Sequence, residues 1–308
     1  MPREVFGPDH AFLPESAVLR DDEIVRLARA FTRAGVNKLR ITGGEPLMRA
    51  GLPALLARLA ALPDAADLSL TTNGWILARL APELAAAGVH RVNVSLDALD
   101  DALFGRMNGR EFGAGRVLEG IEAARAAGLG VKVNMVVQRG VNDSEILPMA
   151  RHFRARGITL RFIEYMDVGN CNGWRMDQVV AARDIVARLH ADHPLEPVDP
   201  NYHGEVAARY RYVGTTTEIG IISSVTEPFC SACHRARLSA DGKLFTCLFA
   251  NHGTDLRAAL RAGIDDEALF ALVCGVWRAR ADRYSDERAE LLARGEHPEK
   301  IEMSYIGG

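Results

Sequence analysis

No run of about 20 uninterrupted apolar residues, the length a helix needs to cross a bilayer, occurs anywhere in this chain. The opening MPREVFGPDHAFLPESAVLR also lacks the apolar h-region of a secretory leader. Neither sign of charge dominates, because 37 Lys and Arg stand against 40 Asp and Glu for a formal net charge of -3. That balance gives no overall field to gather nucleic acid or an anionic membrane, so any anionic ligand must be held by local charge. Cysteines number only five, an odd count, and three of them crowd into one short segment. In a reducing compartment that pattern favours metal binding over disulfides. These absences predict a cytoplasmic globular protein with no nucleic-acid or membrane partner.

What is present is ample for a core. The chain has 308 residues, 48% hydrophobic and 25% charged, enough for one barrel-sized domain or two ordinary ones. From Lys38 to about Met166, short β-rich runs (LRITGG, LSLTTNG, RVNVSLD, VKVNMVV and LRFIEYM) alternate with Ala/Leu-rich segments of helical length. This is the pattern of repeated β/α units around a parallel sheet. In GRVLEGIEAARAAG, Val117, Leu118, Ile121 and Ala124 recur at helical spacing, and Gly128 stands where a glycine would stop the helix. After Asp167 the texture changes, which divides the chain into 1-167 and 168-308. The second part reads as helices over Gln178 to His190 and Asp255 to Arg294, with the β-rich RYRYVGTTTEIGIISS between them.

The strand-like runs end in polar or small residues: Gly43-Gly44-Glu45-Pro46, Thr71-Thr72-Asn73-Gly74, Ser95-Leu96-Asp97 and Glu164-Tyr165-Met166. In β/α barrels such strand ends form the ligand face, so they predict one shared mouth. Gly43 and Gly44 let a ligand approach the backbone, and Glu45 offers an acceptor for an ammonium group. Lys38 and Arg40 occupy alternate positions of the first strand and so point the same way, while Lys132 and Arg161 lie inside later apolar runs. Cations within apolar strands need a partner, and a polyphosphate supplies one. The segment Cys230-Ser-Ala-Cys233, followed thirteen residues later by Cys247, has the spacing of a metal or cluster site and leads into Arg235 and Arg237. Spacing alone leaves structural zinc, with His234 or His252 as fourth ligand, level with iron–sulfur. Cys171 and Cys274 lack metal spacing and read as structural.

Taken together, GGEP, LTTNG, SLD, FIEYMDVGN, the CxxC-x13-C segment with its Arg-x-Arg, and the terminal Gly-Gly resemble the GTP 3′,8-cyclase family of radical S-adenosylmethionine enzymes, also called molybdenum-cofactor biosynthesis protein A or MoaA. The resemblance runs in order along the whole chain. It implies an α/β fold, an incomplete β/α (TIM-like) barrel whose mouth is covered by a C-terminal iron–sulfur region, and it turns the cysteine reading toward iron–sulfur. It implies that Cys230, Cys233 and Cys247 hold a 4Fe-4S cluster whose fourth iron stays open for the substrate. Gly44, Ser95 and Met166 match S-adenosylmethionine contacts. Arg40, Thr71, Lys132, Arg235 and Arg237 match GTP contacts, with Lys38 and Arg161 as further basic neighbours. Gly307-Gly308 resembles the family's flexible tail. The implied reaction is the radical conversion of GTP to (8S)-3′,8-cyclo-7,8-dihydroguanosine 5′-triphosphate in molybdenum-cofactor synthesis. The implied partners are GTP, a reductant, cyclic pyranopterin monophosphate synthase as the next enzyme, and a second copy in a homodimer.

One departure qualifies this. The family binds its radical-initiating cluster on a CxxxCxxC loop whose last cysteine precedes a Met-Pro like Met1-Pro2 here, and no CxxxCxxC occurs in the 308 residues. A second 4Fe-4S cluster is therefore expected only if an upstream segment, with its strand, cysteines and one GTP-contacting arginine, is present. A start placed too late, with Met1 internal, is the simplest expectation. The competing reading is a truncated or degenerate, non-catalytic nucleotide and iron–sulfur binding relative. A peptide-maturing radical enzyme is a third, opposed by the Arg235-x-Arg237 pair and the Gly-Gly end.

Overall fold

Alternating apolar and polar residues within short runs, each followed by a long amphipathic run, set up the architecture. The computed structural model describes residues 13–63, 67–109, 112–170, 172–294 and 299–306. Met1-Pro2, Cys171 and Gly307-Gly308 lie outside the described residues. Helix α1 (Asp21–Arg33) opens with acidic residues, which suit the positive end of its dipole, and Glu23 accepts the Arg20 N–H at 2.8 Å. Strand–helix units follow: β1 (Lys38–Ile41) and α2 (Leu52–Ala60), β2 (Asp67–Thr72) and α3 (Leu77–Ala86), then β3 (Arg91–Ser95) with α4 (Asp101–Asn108) and α5 (Gly115–Ala126). Two more are β4 (Gly130–Val137) with α6 (Ile146–Arg154) and β5 (Thr159–Glu164) with α7 (Ala182–Asp192). These five strands fall on the five β-rich runs of the sequence.

Three further strands, β6 (Leu195–Val198), β7 (Ala208–Tyr212) and β8 (Glu218–Ile222), complete an eight-stranded sheet of order β1-β2-β3-β4-β5-β8-β7-β6. Strands β1 to β5 and β8 run parallel, and β7 and β6 run antiparallel. The edges β1 and β6 do not pair with each other, so the barrel stays open. It is nevertheless curled. The Lys38 ammonium of β1 lies 3.0 Å from the ring centre of Tyr202, in the loop joining β6 to β7, so a residue of one edge strand touches the loop leaving the other. A small sheet of β9 (Arg237–Leu238), β10 (Lys243–Phe245) and β11 (Thr254–Asp255) comes next, then α8 (Leu256–Arg261), α9 (Asp266–Arg278), α10 (Tyr284–Ala293) and α11 (Met303–Ile306). Among the described residues no helix is long and apolar enough to cross a membrane.

The sheet has two unlike faces. Leu68, Leu70, Val92, Val94, Val133, Met135, Leu160 and Phe162 lie on one face, all nearly or fully buried in one large core with the helices around it. Their alternates, Arg40, Ser69, Thr71, Asn93, Ser95, Lys132, Asn134 and Arg161, make the other face polar. Period-two alternation therefore sorts apolar from polar across the sheet. A second, smaller core joins Leu27 and Ala30 of α1 to Leu256, Leu260, Leu269 and Val273, with Arg33 forked onto Glu267 at 2.6 and 2.7 Å.

The helices expected over Gln178 to His190 and Asp255 to Arg294 are differently bounded. The first begins at Ala182, where the Glu164 carboxylate takes the first N–H. The second is broken into α8, α9 and α10. Gly263 adopts φ 84°, and Asp265 caps α9 by accepting from Ala268 N at 2.8 Å, which forces one break. The other falls at 279–283, whose side chains are drawn elsewhere, as described below.

Glu164, at the end of β5, is fully buried and accepts from Ala182 N, Val225 N and Thr226 N at 2.7, 2.8 and 2.9 Å, with the Thr226 hydroxyl as a fourth donor. It ties the mouth of the sheet to the segments after β8 and before α7. Removing a carboxylate that satisfies buried N–H groups leaves them unpaired. Glu164→Ala should therefore lower unfolding free energy by at least about 3 kcal/mol; urea denaturation with an unchanged m-value checks this, and a loss below about 1 kcal/mol contradicts the staple.

Candidate active site

The register of the parallel strands stacks polar residues in rows across the concave face. One row runs Arg40, Ser69, Arg91; a second runs Thr71, Asn93, Lys132, Thr159; a third runs Ser95, Asn134, Arg161, Gly220. Arg161 donates to Asn134 Oδ1 at 2.8 Å and to Asn93 Oδ1 at 2.6 Å, and Asn93 in turn donates to the Leu70 carbonyl at 3.1 Å. Two asparagines hold this guanidinium in place without neutralising it. Gly220 permits that pose, since a Cβ there would come within 2.8 Å of the Arg161 side chain.

The cations of this face are crowded. Burial, then the charges of Arg40 and Arg91, lower Arg161 to about 10. Lys132 is lowered by burial and by Arg161 and Arg91, and Arg40 by burial and by Arg91 and Arg235. Arg40 retains over a third of its accessible surface although protein surrounds it, which places it on the wall of a wetted interior. Arg237 is lowered to about 10 by burial and then by Arg235. Arg91 has a carboxylate, Asp67, at 2.7 Å, but among the described residues no ion pair forms at Arg40, Lys132 or Arg161. Arg235 acts on both Arg40 and Arg237, and Arg40 on Arg237, so the charges of the β9 segment and of β1 are neighbours. Arg40, Lys132 and Arg161, on three strands of one face and without an ion pair among the described residues, have the chemistry that suits a polyanion.

Cys230 and Cys233 bracket a single turn closed by the Cys233 N–H on the Cys230 carbonyl at 3.2 Å, and Cys247 follows β10. All three thiols are free and partly buried. Burial pushes the Cys233 thiol up, but the Arg235 charge and hydrogen bonds from Arg235 and Arg280 outweigh it and bring it down to about 7. Cys247 is raised, chiefly by burial. Both sulfurs act on Arg237, and Cys230 acts on Cys247, so the three face one locality. Tetrahedral zinc needs its thiolates drawn within about 4 Å of one another, given a Zn–S bond of about 2.3 Å. Among the described residues no three His, Cys, Asp or Glu side chains make such a single-ion group. His252 instead contacts Asn251, and His234 stands 5.5 Å from the ring of His203. Three free, partly buried thiols, with Arg235 and Arg280 at Cys233, are the residues present that would hold a metal or cluster. Cys274 lies on α9, away from this set by sequence and element.

At the rim, Gly43 has φ 111° with open space where a Cβ would stand, and Gly44 is exposed, so the turn after β1 leaves backbone accessible to a ligand. Glu45 is committed elsewhere. It accepts from Leu47 N at 3.1 Å, the Thr72 hydroxyl at 2.7 Å and Asn73 N at 2.7 Å, bracing the ends of β1 and β2 together. Ser95 and Met166 are half-buried at the ends of β3 and β5, and Trp174 packs with its indole N–H on the Tyr165 carbonyl at 2.8 Å. Asp97, two residues beyond Ser95, accepts from Val136 N at 2.8 Å.

Two family models divide the chain: residues 7–153 match the Radical SAM superfamily and 158–286 match Molybdenum Cofactor Synthesis C. A GTP 3′,8-cyclase of Acidothermus cellulolyticus is 50% identical over 331 residues, covering 100% of this chain and 91% of that protein. The chain belongs to the GTP 3′,8-cyclase family. Another member, from Staphylococcus aureus strain Mu3, is 47% identical over 309 residues with the same coverage of both chains. Among solved structures, Streptococcus suis SuiB bound to S-adenosylmethionine aligns at TM-score 0.49 and 18% identity over 60% of this chain and 41% of that one. As a radical S-adenosylmethionine enzyme family, GTP 3′,8-cyclases use that cofactor with a 4Fe-4S cluster. Sequence reasoning did not single out Asn93 and Asn134, which orient Arg161, nor Arg280, which reaches Cys233. The inward parity of the two asparagines on their strands was the available signal for the first two. Nothing local marks Arg280.

Burial pushes the Asp97 carboxyl up to about 6. An unfolded aspartate titrates near about 3.9, so the folded chain holds this proton more tightly. Folding is then favoured at low pH by this group, and the contribution is lost as pH rises from about 4 through about 6. Relative to Asp97→Asn, the parent should lose stability across that window in urea denaturation. Parallel profiles would contradict the assignment.

Proposed function

We propose that this protein acts as a GTP 3′,8-cyclase, converting GTP to (8S)-3′,8-cyclo-7,8-dihydroguanosine 5′-triphosphate in molybdenum-cofactor biosynthesis. The observation that carries the reading is the concave face itself, where Arg40, Lys132 and Arg161 form no ion pair among the described residues and Arg40 feels the charge of Arg235, one of the arginines that follow a CxxC turn. The division at 1-167 and 168-308 separates the five leading β/α strands from a second part whose β6 to β8 extend the same sheet, and the chain after β8 would supply the covering segment with the metal ligands Cys230, Cys233 and Cys247. GTP lies between them, its phosphates taken by Arg40, Lys132, Arg235 and Arg237, with Thr71, Lys38 and Arg161 alongside. Guanidinium forks suit phosphate oxygens and fix orientation as well as charge. Three thiolates would hold a 4Fe-4S cluster and leave one iron for the substrate. Gly44, Ser95 and Met166, at three strand ends of one rim, are the S-adenosylmethionine contacts.

When bound beside a reduced cluster, S-adenosylmethionine supplies the radical chemistry, and the chain's part is to hold GTP in one pose and exclude water. The 308 residues contain no CxxxCxxC loop, so they do not fit the radical-initiating cluster. A cytoplasmic setting, an external reductant, a homodimer and cyclic pyranopterin monophosphate synthase as the following enzyme belong to the same proposal. The competing reading, a non-catalytic nucleotide and iron–sulfur binder, makes the same ligand predictions and differs only in turnover.

Anaerobic reconstitution should load one cluster on this chain, lost in Cys230→Ala, Cys233→Ala and Cys247→Ala and kept in Cys171→Ala and Cys274→Ala. Iron counting decides; retention of iron in Cys247→Ala together with its loss in Cys171→Ala overturns the ligand set. Arg235→Ala or Arg237→Ala should weaken GTP binding by about tenfold to a hundredfold, as expected for a charge-assisted contact of about 1.5–3 kcal/mol. Calorimetry giving an unchanged Kd for both variants would count against the phosphate cradle. With dithionite and GTP the 308-residue chain should form no 5′-deoxyadenosine, whereas a chain extended upstream through CxxxCxxC should; equal turnover of the two sinks that assignment.

A further inference from the structure

Between α9 and α10 the chain leaves the helix for residues 279–283, although Ala279-Arg280-Ala281-Asp282-Arg283 contains nothing that forbids helix. Its alternate side chains, continued by Tyr284, reach three parts of one site. The Arg280 guanidinium donates to the Cys233 carbonyl and pairs with Asp282, Nε to Oδ2 3.5 Å. Asp282 accepts from the Thr246 hydroxyl at 2.5 Å, one residue before Cys247. The Tyr284 ring stacks on Phe249, two residues after Cys247, with centroids 4.6 Å apart and planes 29° off parallel. Phe249 N–H in turn points at the Cys247 sulfur, 3.4 Å away.

The far end of this contact is anchored in the barrel. Tyr284 donates to Asp167 at 2.6 Å, and Asp167 also takes Arg288 at 2.9 Å and Lys300 at 2.7 Å, with Arg288 and Asp167 themselves buried. Arg288 further donates to the Ser224 carbonyl at 3.0 Å, beside the segment that Glu164 holds. The CxxC turn and the Cys247 loop therefore share a single strip of chain, and that strip is fixed to the residue after Met166. The β9–β10 pairing of Arg237 with Phe245 already brings the two cysteine segments together, and the strip adds a second tie nearer the cysteines themselves.

We propose that Arg280, Asp282 and Tyr284 are positioning residues that clasp the CxxC turn to the Cys247 loop and set the charge felt at the three thiolates. This rests on the cluster reading above for its electrostatic half and on the contacts alone for its mechanical half. Reduction potentials of iron–sulfur clusters follow net charge and hydrogen bonding around the sulfurs. A cation at Arg280 favours the reduced, more negative state, and an anion at Asp282 opposes it.

The test uses the full chain, reconstituted anaerobically, with Arg280→Gln, Asp282→Asn and Tyr284→Phe. Redox titration followed by electron paramagnetic resonance should move the midpoint negative in Arg280→Gln and positive in Asp282→Asn, with iron retained in both. Arg280→Lys, which keeps charge but not the fork, should move less, and it replaces the Gln variant if that one does not fold. Hydrogen exchange on the metal-free chains should rise over residues 230–234 and 245–250 in all three variants. Folded variants with the parent's midpoint, spectrum and exchange overturn the clasp. A parent that takes up no iron sinks the cluster reading instead, and the exchange data then judge the clasp by themselves.

Discussion

Repulsion among Arg40, Lys132 and Arg161 on the concave face of the sheet is the constraint around which the rest of the molecule is arranged. Each lies on a strand whose opposite face is packed in the core, so none can turn away without unpairing its strand. Their charges are desolvated and only partly offset, a cost borne by the folded state. Glu205 offsets part of the repulsion on Lys132 and Arg161, and Asp67 part of that on Arg40, while the close contacts among the described residues are uncharged. Asn93 and Asn134 fix Arg161 by their amide oxygens, Gly220 clears space for it, and the Lys38 ammonium rests on the Tyr202 ring. Under the function proposed above, a triphosphate would supply the anionic partner that these residues lack.

Such a face needs a cover, since open water would screen the charges it gathers. The cover is joined to the barrel through buried carboxylates at the end of β5. Glu164 takes N–H donors from the segments on either side, and Asp167 gathers Tyr284, Arg288 and Lys300. Burial alone would raise the Asp167 carboxyl, yet hydrogen bonds from Lys300 and Tyr284 and the Arg288 charge hold it below the usual carboxylate range. The end of the described chain follows the same course: Ile306 is buried, and Tyr305 donates to Asp241 at 2.6 Å while meeting the Phe245 ring edge-on. The final helix thus docks on the small sheet that leads to Cys247.

Helix α1 shows the same economy of connection. Its first turn is bound by Arg261, whose Nε donates to Glu23 at 2.9 Å and whose partnership lowers that carboxyl to about 2. Its Leu27 and Ala30 share a core with α8 and α9, while its Val25 and Ala28 belong to the main core of the parallel sheet, so the helix joins the two. An early helix therefore ties the late helices α8 and α9 to the barrel and supports the helix from which the Arg280 strip emerges.

Much of this was legible in the residues alone. Period-two alternation located β1 to β5, and the same parity put Lys38 and Arg40 on one side of β1, because side-chain direction along a strand is a local property. That Lys132 and Arg161 share the face of Arg40 was settled by the register between strands. The CxxC turn and the polar strand ends were equally local. What only tertiary structure decided were the long-range choices: β8 pairing with β5, the break at 279–283, and the commitment of Glu45 and Glu164 to backbone donors in place of ligands. Helix propensity over 255–294 favours one continuous helix, and it loses because Gly263 turns the chain and Arg280 and Asp282 gain partners at Cys233 and Thr246. Those partners lie some 35 to 47 residues away in sequence. No periodicity encodes such a pairing, since it exists only after the two cores have brought the segments together.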